Sequence, residues 1–112
     1  MADNIFLGKK GEDMAAGFLL AQSYTILRRN FRSGRGEIDI IARFENHIIF
    51  VEVKWRSRVD FGFPEEAVSE AKANLIAQTA EAFLEEINWE GAIRFDIIAI
   101  TGKKIEHFID AF

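Results

Sequence analysis

The sequence contains no cysteine, which removes disulfides, thiolate nucleophiles and Cys-ligated zinc together. Its only histidines, His47 and His107, are far apart, read as surface residues and do not make up a zinc site. There is one proline, Pro64, which suits the entry of a helix. No apolar run approaches a bilayer span, and the first residues lack the basic, apolar, small order of a signal peptide. The expectation is a soluble, cytoplasmic protein with no membrane partner. Oxygen-ligand metal chemistry is what these absences leave. The 112 residues, 49% of them hydrophobic, predict a single domain over 1–112 with a real core, and residues 1–7 as a loose lead-in.

What is present is organised around Gly36 to Lys54, GEIDIIARFENHIIFVEVK. Asp39 follows Glu37 at a spacing of two, and Glu52 precedes Lys54 at a spacing of two, inside runs of Ile, Val and Phe that read as buried strands. Alternation sets Glu37 and Asp39 on one face of their strand, and Glu52, Lys54 and Arg56 on one face of the next. The short turn Glu45-Asn46-His47 predicts an antiparallel hairpin that brings Asp39 near Glu52. Two carboxylates on paired strands can hold Mg²⁺ or Mn²⁺, and a lysine beside them can orient a water or neutralise charge developing on a phosphate.

The net charge of −4 hides an asymmetry, since residues 1–60 carry ten Lys and Arg against eight Asp and Glu, and residues 61–112 carry four against ten. Sign distribution decides which face attracts a polyanion, so an acidic total does not exclude a nucleic acid. Arg28, Arg29, Arg32 and Arg35 crowd the approach to the hairpin, either as a solvated face or as phosphate contacts.

Gly8 to Gln22 reads as a helix with Met14, Phe18 and Leu19 on its stripe and Ala15 and Gly17 permitting close packing. Glu12, in its first turn, complements the helix dipole. Strands are expected at Tyr24 to Phe31, through the hairpin to Ile48–Arg56, at Ile93 to Thr101 and at Lys104 to Ile109, with Ser33-Gly34-Arg35-Gly36 a flexible turn. Ser57 to Phe63 reads as a loop. Glu65 to Glu86 reads as a long helix, with Val68, Ala71, Leu75, Ala82 and Phe83 near one stripe and Glu70, Glu81, Glu85 and Glu86 exposed. Lys72 is its lone cation, placed either to pair with nearby glutamates or to meet phosphate. Asp96 interrupts an apolar strand, as a hydrogen-bonded structural acid or a further ligand. Trp55, Trp89 and Phe108 to Phe112 read as packing residues.

The order helix, three-stranded meander, helix, strand resembles the core shared by restriction-type nucleases and archaeal Holliday-junction resolvases. Glu12 matches the acid on the first helix of the PD-(D/E)xK motif, Asp39 the acid on the second strand, and Glu52 with Lys54 the E-x-K on the third. More closely, the chain resembles the YraN-type family of small bacterial proteins. Gly11-Glu12, Arg29-Asn30-Phe31-Arg32, Gly36-Glu37-Ile38-Asp39, Phe50-Val51-Glu52-Val53-Lys54 and Phe61-Gly62-x-Pro64 carry that resemblance. It covers nearly everything from Gly8 to Phe112. Ile38 stands where a proline precedes the acid in the superfamily motif, a departure that affects backbone geometry rather than ligand chemistry.

The resemblance implies an α/β, restriction-endonuclease-like fold, with a mixed central sheet of about five strands flanked by helices. It also implies a metal held by Asp39, Glu52 and the main-chain carbonyl of Val53, with Glu12 acting through a second ion or a bound water and Lys54 positioning or activating the attacking water. Arg28, Arg32, Arg35, Arg56 and Lys72 are then candidates for guiding a nucleic-acid backbone. The expected function is Mg²⁺- or Mn²⁺-dependent hydrolysis of phosphodiester bonds in DNA, including branched or damaged structures. The alternatives are a catalytically silent nucleic-acid-binding module and a protein-interaction scaffold that uses the acidic helix. By analogy, a homodimer would let two sites address two strands.

Overall fold

The structure, a computed structural model, describes residues 2–56 and 68–112, with side chains from Gly8 onward. Helix α1 (Ala2–Ala21) leads into a meander of β1 (Thr25–Ser33), β2 (Gly36–Phe44) and β3 (His47–Arg56). Helix α2 (Glu70–Ile87) is followed by β4 (Ala92–Thr101) and β5 (Lys104–Phe108). The sheet order is β1-β2-β3-β4-β5, with β3 and β4 parallel and every other neighbouring pair antiparallel. This is the expected α/β layout, a five-stranded mixed sheet with two helices.

The central strand is β3, and its sequence explains its place. Ile48, Ile49, Phe50 and Val51 are buried in succession, as a strand covered on both faces requires. Ile49, Val51, Val53 and Trp55 face α1, in a cluster with Ala15, Leu19, Ile40, Ile98 and Ile100. Ile48 and Phe50 face α2, with Ile38, Ile41, Ile76, Ala80 and Phe83. Fully burying an aliphatic or Phe side chain of this kind contributes roughly 1.5–3 kcal/mol, so these two clusters hold the helices against the sheet.

Several boundaries and contacts differ from the sequence reading. Helix α1 begins at Ala2 and includes most of the stretch expected as a loose lead-in. Its close-packing glycine is Gly11, where a Cβ would lie 3.2 Å from the Trp55 ring, whereas Gly17 is exposed with nothing near it. Helix α2 starts at Glu70 rather than Glu65, because Ser69 has extended backbone and its hydroxyl accepts the Lys72 N–H. Ala71 is exposed, and the buried face is Ile76, Thr79, Ala80 and Phe83. Asn88 closes the helix in the left-handed region. The expected loop Ser57 to Phe63, Pro64 and the Phe61-Gly62-x-Pro64 motif lie outside the described residues.

The turns are tighter than expected. Ser33 pairs with Gly36, so Gly34-Arg35 is a two-residue turn, with φ +58° at Gly34. Phe44 pairs with His47, which makes His47 the first residue of β3 rather than part of a turn. Gly36 has a different duty: a Cβ there would sit 1.8 Å from Thr79 Oγ1 and 3.2 Å from the Leu75 carbonyl oxygen. Its missing side chain lets α2 lie directly on the start of β2.

A buried polar cluster ties down the other end of the sheet. Asp96 is fully buried and accepts from Arg94 Nε (2.9 Å) and Nη2 (2.8 Å) and from the Asp110 N–H (2.9 Å), with His107 Nε2 at 2.7 Å. Arg94 also donates to the Tyr24 hydroxyl at 2.8 Å. Asp96 is therefore a structural acid. His107, expected at the surface, is largely enclosed, with Phe18 and Tyr24 against its ring edge-on.

Candidate metal centre

The candidate site forms where two strands part. β2 and β3 pair from Phe44 and His47 as far as Ile40 and Val51, and there the ladder stops. One residue further, Asp39 Oδ2 accepts the Val53 N–H at 2.8 Å, so a side chain replaces the backbone partner. The N–H and C=O of a strand residue point to the same edge, which directs the Val53 carbonyl at the same gap.

The strand faces also slip at this point. Ile38 packs on the α2 side and Ile40 on the α1 side, although residues two apart on a regular strand share a face. The facing strand does the same. Arg29 reaches Asp13 of α1 at 2.7 Å while Phe31 packs edge-on against Phe83 of α2, and Asn30 between them has φ +54°. Asn is among the few residues that tolerate that region. Asn30 and Asp39 are skipped in the β1–β2 register, between the pairs Arg29–Ile40 and Phe31–Ile38. The slip puts Asp39 on a seam between the two faces of the sheet.

On the α2 side of the seam lies a cleft of about 200 Å³, lined by Arg35, Glu37, Asp39, Glu52, Lys72 and the apolar Leu75 and Ile76. Glu52 is buried at 7% exposure. Its Oε1 accepts from Lys72 Nζ at 2.8 Å, with Lys54 Nζ at 3.8 Å. Burial, and next the charge of Glu52, push the Asp39 carboxyl up to about 7, against the opposing bond from Val53. Burial, and next the Lys72 cation, hold the Lys54 ammonium below its usual value. Burial lowers Lys72 as well, but its bond to Glu52 and the charges of Glu52 and Asp39 together hold it above the usual value.

On the α1 side lies a second cleft of about 450 Å³, bordered by Lys9, Glu12, Arg29, Asn30, Arg32 and Glu37. Glu12 therefore lines the other opening, 3.6 Å from Arg29, while Glu37 lines both. The Glu12 charge still adds to the upward shift of Asp39. Among the described residues no group of three or more His, Cys, Asp or Glu is close enough to hold a metal ion together. The oxygen donors that could serve a cation here are Asp39 and Glu52, which line one cleft, and the Val53 carbonyl beside them. They suit Mg²⁺ or Mn²⁺, which commonly use one or two carboxylates and complete their shell with water and substrate phosphate. The electrostatics agree, since a divalent cation would relieve the repulsion that raises Asp39.

The arginines are less free than their crowding in the sequence indicates. Arg28 bonds Glu86 of α2 and covers the Phe31 and Phe83 rings, Arg29 bonds Asp13, and Arg32 Nε bonds Glu37 at 3.0 Å. Arg35, exposed in the turn, lines the α2-side cleft, and Arg56 ends β3 beyond Lys54. Sequence reasoning missed two features of this site: the bond from Lys72 to Glu52 and the backbone slip at Asn30. The first joins residues on separate elements and has no local signal. The only hint of the second is an Asn inside a strand. Trp55 and Trp89 pack against the two cores as expected, and Phe112 packs against Phe95.

A family model described as "Uncharacterised protein family UPF0102" matches residues 11–100. A UPF0102 protein of Cytophaga hutchinsonii is 46% identical over 109 residues, covering 96% of each chain. One from Flavobacterium psychrophilum is 44% identical across 100% of this chain and 98% of its own, and one from Thermodesulfovibrio yellowstonii is 45% identical across 96% of each. No helix among the described residues is long and apolar enough to cross a membrane.

Proposed function

We propose that this chain, which belongs to the uncharacterised protein family UPF0102, is a divalent-metal-dependent nuclease that hydrolyses phosphodiester bonds in DNA, with branched and damaged structures as its candidate substrates. The observation that carries the reading is the parting of β2 and β3 at Asp39 and Glu52, two carboxylates in one cleft with Lys54 beside them. Asp39, Glu52 and the Val53 carbonyl would hold Mg²⁺ or Mn²⁺. Such a cation, when bound, supplies a lowered water pKa and charge neutralisation at the non-bridging oxygens of a phosphate.

The chain's own groups divide the remaining work. Lys54, with its pKa lowered, is suited to orient the attacking water and exchange a proton with it. Glu12 acts on Asp39 by charge from the opposite opening. Arg35 borders the cleft and is suited to a backbone phosphate, as is Arg56. Arg28 and Arg32 can exchange exposed carboxylate partners for phosphates at little cost, because such surface pairs contribute only about 0–1 kcal/mol. The test is Mg²⁺-dependent cleavage of linear, nicked and branched DNA by wild-type protein and Asp39→Ala purified side by side. The expected result is cleavage by the first and none by the second. Equal cleavage by both would assign the activity to something other than this site.

One observation favours a second reading, a nucleic-acid-binding module without catalysis. Glu52 already has a cation, Lys72, at hydrogen-bond distance. That reading predicts salt-sensitive DNA binding that is indifferent to Mg²⁺.

A further inference from the structure

The cation already on Glu52 has features that a simple surface ion pair lacks. Lys72 Nζ lies 2.8 Å from Glu52 Oε1, a full ångström closer than Lys54 Nζ. Lys72 stands in the first turn of α2, where the helix dipole disfavours a positive charge and an acid would be the usual occupant. Its root is fixed, because its backbone N–H donates to the capping Ser69 hydroxyl at 3.1 Å. Its ammonium is at the end of a flexible arm whose side chain is 40% exposed, while the Glu52 side chain is 9% exposed. The carboxylate is therefore held in place, and the ammonium has a route to solvent.

We infer that Lys72 is a displaceable stand-in for the divalent cation, seated on Glu52 while the site is metal-free and released toward substrate phosphate when metal loads. The inference rests on the metal-site reading above and adds a regulatory step to it. Without a divalent cation, Arg35 and Lys72 of the cleft, with Lys54 beside them, offset Glu37, Asp39 and Glu52. A divalent cation must compete with Lys72 for Glu52 Oε1. Once displaced, the Lys72 ammonium needs an anion, and a phosphate held at the Arg35 rim of the same cleft would provide one. Metal and nucleic acid then favour each other's binding through a single side chain, and such coupling is reciprocal. The device weakens metal binding until substrate is present.

The test is calorimetric titration of Mn²⁺ into wild type and Lys72→Met, with Lys72→Gln as a second variant, each without DNA and with a non-cleavable phosphorothioate DNA. Removing the competing cation should tighten Mn²⁺ binding without DNA by about tenfold, within the usual range of coupling between sites. The same substitution should shrink the gain in Mn²⁺ affinity that DNA gives the wild type. Affinity that is unchanged or weaker in both variants would overturn the inference, assigning Lys72 a structural or purely phosphate-binding role. Failure of the underlying reading looks different: no protein would bind Mn²⁺ even with DNA present. A merely structural Lys72 would lower thermal stability on substitution without tightening metal binding.

Discussion

At the scale of single residues, Asp39 carries an electrostatic conflict between its burial beside Glu52 and its bond from Val53. Its carboxyl is raised to about 7, by burial first and by Glu52 second, whereas in the unfolded chain it titrates near 3.8. Between those values the folded state binds the extra proton, so stability falls as pH rises from about 4 to 7 and is level above that. A difference of this size corresponds to at most roughly 4 kcal/mol. Asp39→Asn should therefore stabilise the metal-free protein at pH 8 by several degrees in thermal unfolding, and by progressively less as pH falls toward 4. A destabilised Asn variant at pH 8 would contradict this account of Asp39. Asp96 has the opposite sign. Burial would raise it, but the bonds from His107, Arg94 and the Asp110 amide outweigh burial and hold it below the usual range. The stability it contributes is present above its unfolded pKa and is lost as pH falls through the lower folded value.

The same two residues mark what the sequence made legible. Asp39 and Glu52 stood out because each interrupts an apolar run beside a second charge, and the hairpin between them follows from strand alternation and a short turn. Asp96 interrupts a similar run, yet of its partners only Arg94 is local, while His107, the Asp110 amide and the Tyr24 hydroxyl that Arg94 reaches are remote in sequence, so no local pattern revealed the cluster. His107 read as exposed for the same reason: enclosure by Phe18 and Tyr24 is a tertiary fact.

At the scale of elements, two contacts set where the site's walls stand. The first is Gly36 under Thr79, which fixes the distance between α2 and β2 and with it the approach of Lys72 to Glu52. Gly36→Ala forces Thr79 and the Leu75 carbonyl away, and overpacking of this kind costs typically about 1–3 kcal/mol. Urea unfolding should show that loss, and an unchanged midpoint would mean that α2 yields freely. The second contact is the Asp96 cluster, which fastens β5 and the residues after it to β4 and to Tyr24. Asp96→Ala leaves Arg94 with an uncompensated buried charge, and breaking a buried pair this way costs about 3–5 kcal/mol. A loss under about 1 kcal/mol would show that water replaces the carboxylate there. Element type and order, and the strand ends to within a residue or two, were readable from the sequence, whereas the helix starts were not. Ser69 rather than Pro64 starts α2, because a capping hydroxyl and extended backbone decide the boundary. Gly36 looked like a turn residue, and its part in helix docking depends on α2, far along the chain.

At the scale of the whole molecule, the charge asymmetry survives folding in altered form. Arg28, Arg29 and Arg32 are satisfied by Glu86, Asp13 and Glu37, leaving Arg35 in its turn as the arginine that borders the α2-side cleft. Binding to DNA should therefore be weak, with a shallow but measurable slope of log affinity against log salt that reports only a few phosphate contacts. Fluorescence anisotropy across a salt series checks this, and Arg35→Ala should make the slope shallower. A salt-independent affinity would exclude backbone recognition. The fold as a whole was the most legible level, because helix and strand periods and the spacing of several short motifs agreed with one another.

The most direct test of the central claim is calorimetric titration of Mg²⁺ and Mn²⁺ into wild type and the Asp39→Ala/Glu52→Ala double variant, in the presence of non-cleavable branched DNA whose phosphates can complete the shell. The account predicts saturable metal binding by the wild type and none by the double variant. Equal binding by the two proteins, or none by either, would contradict it.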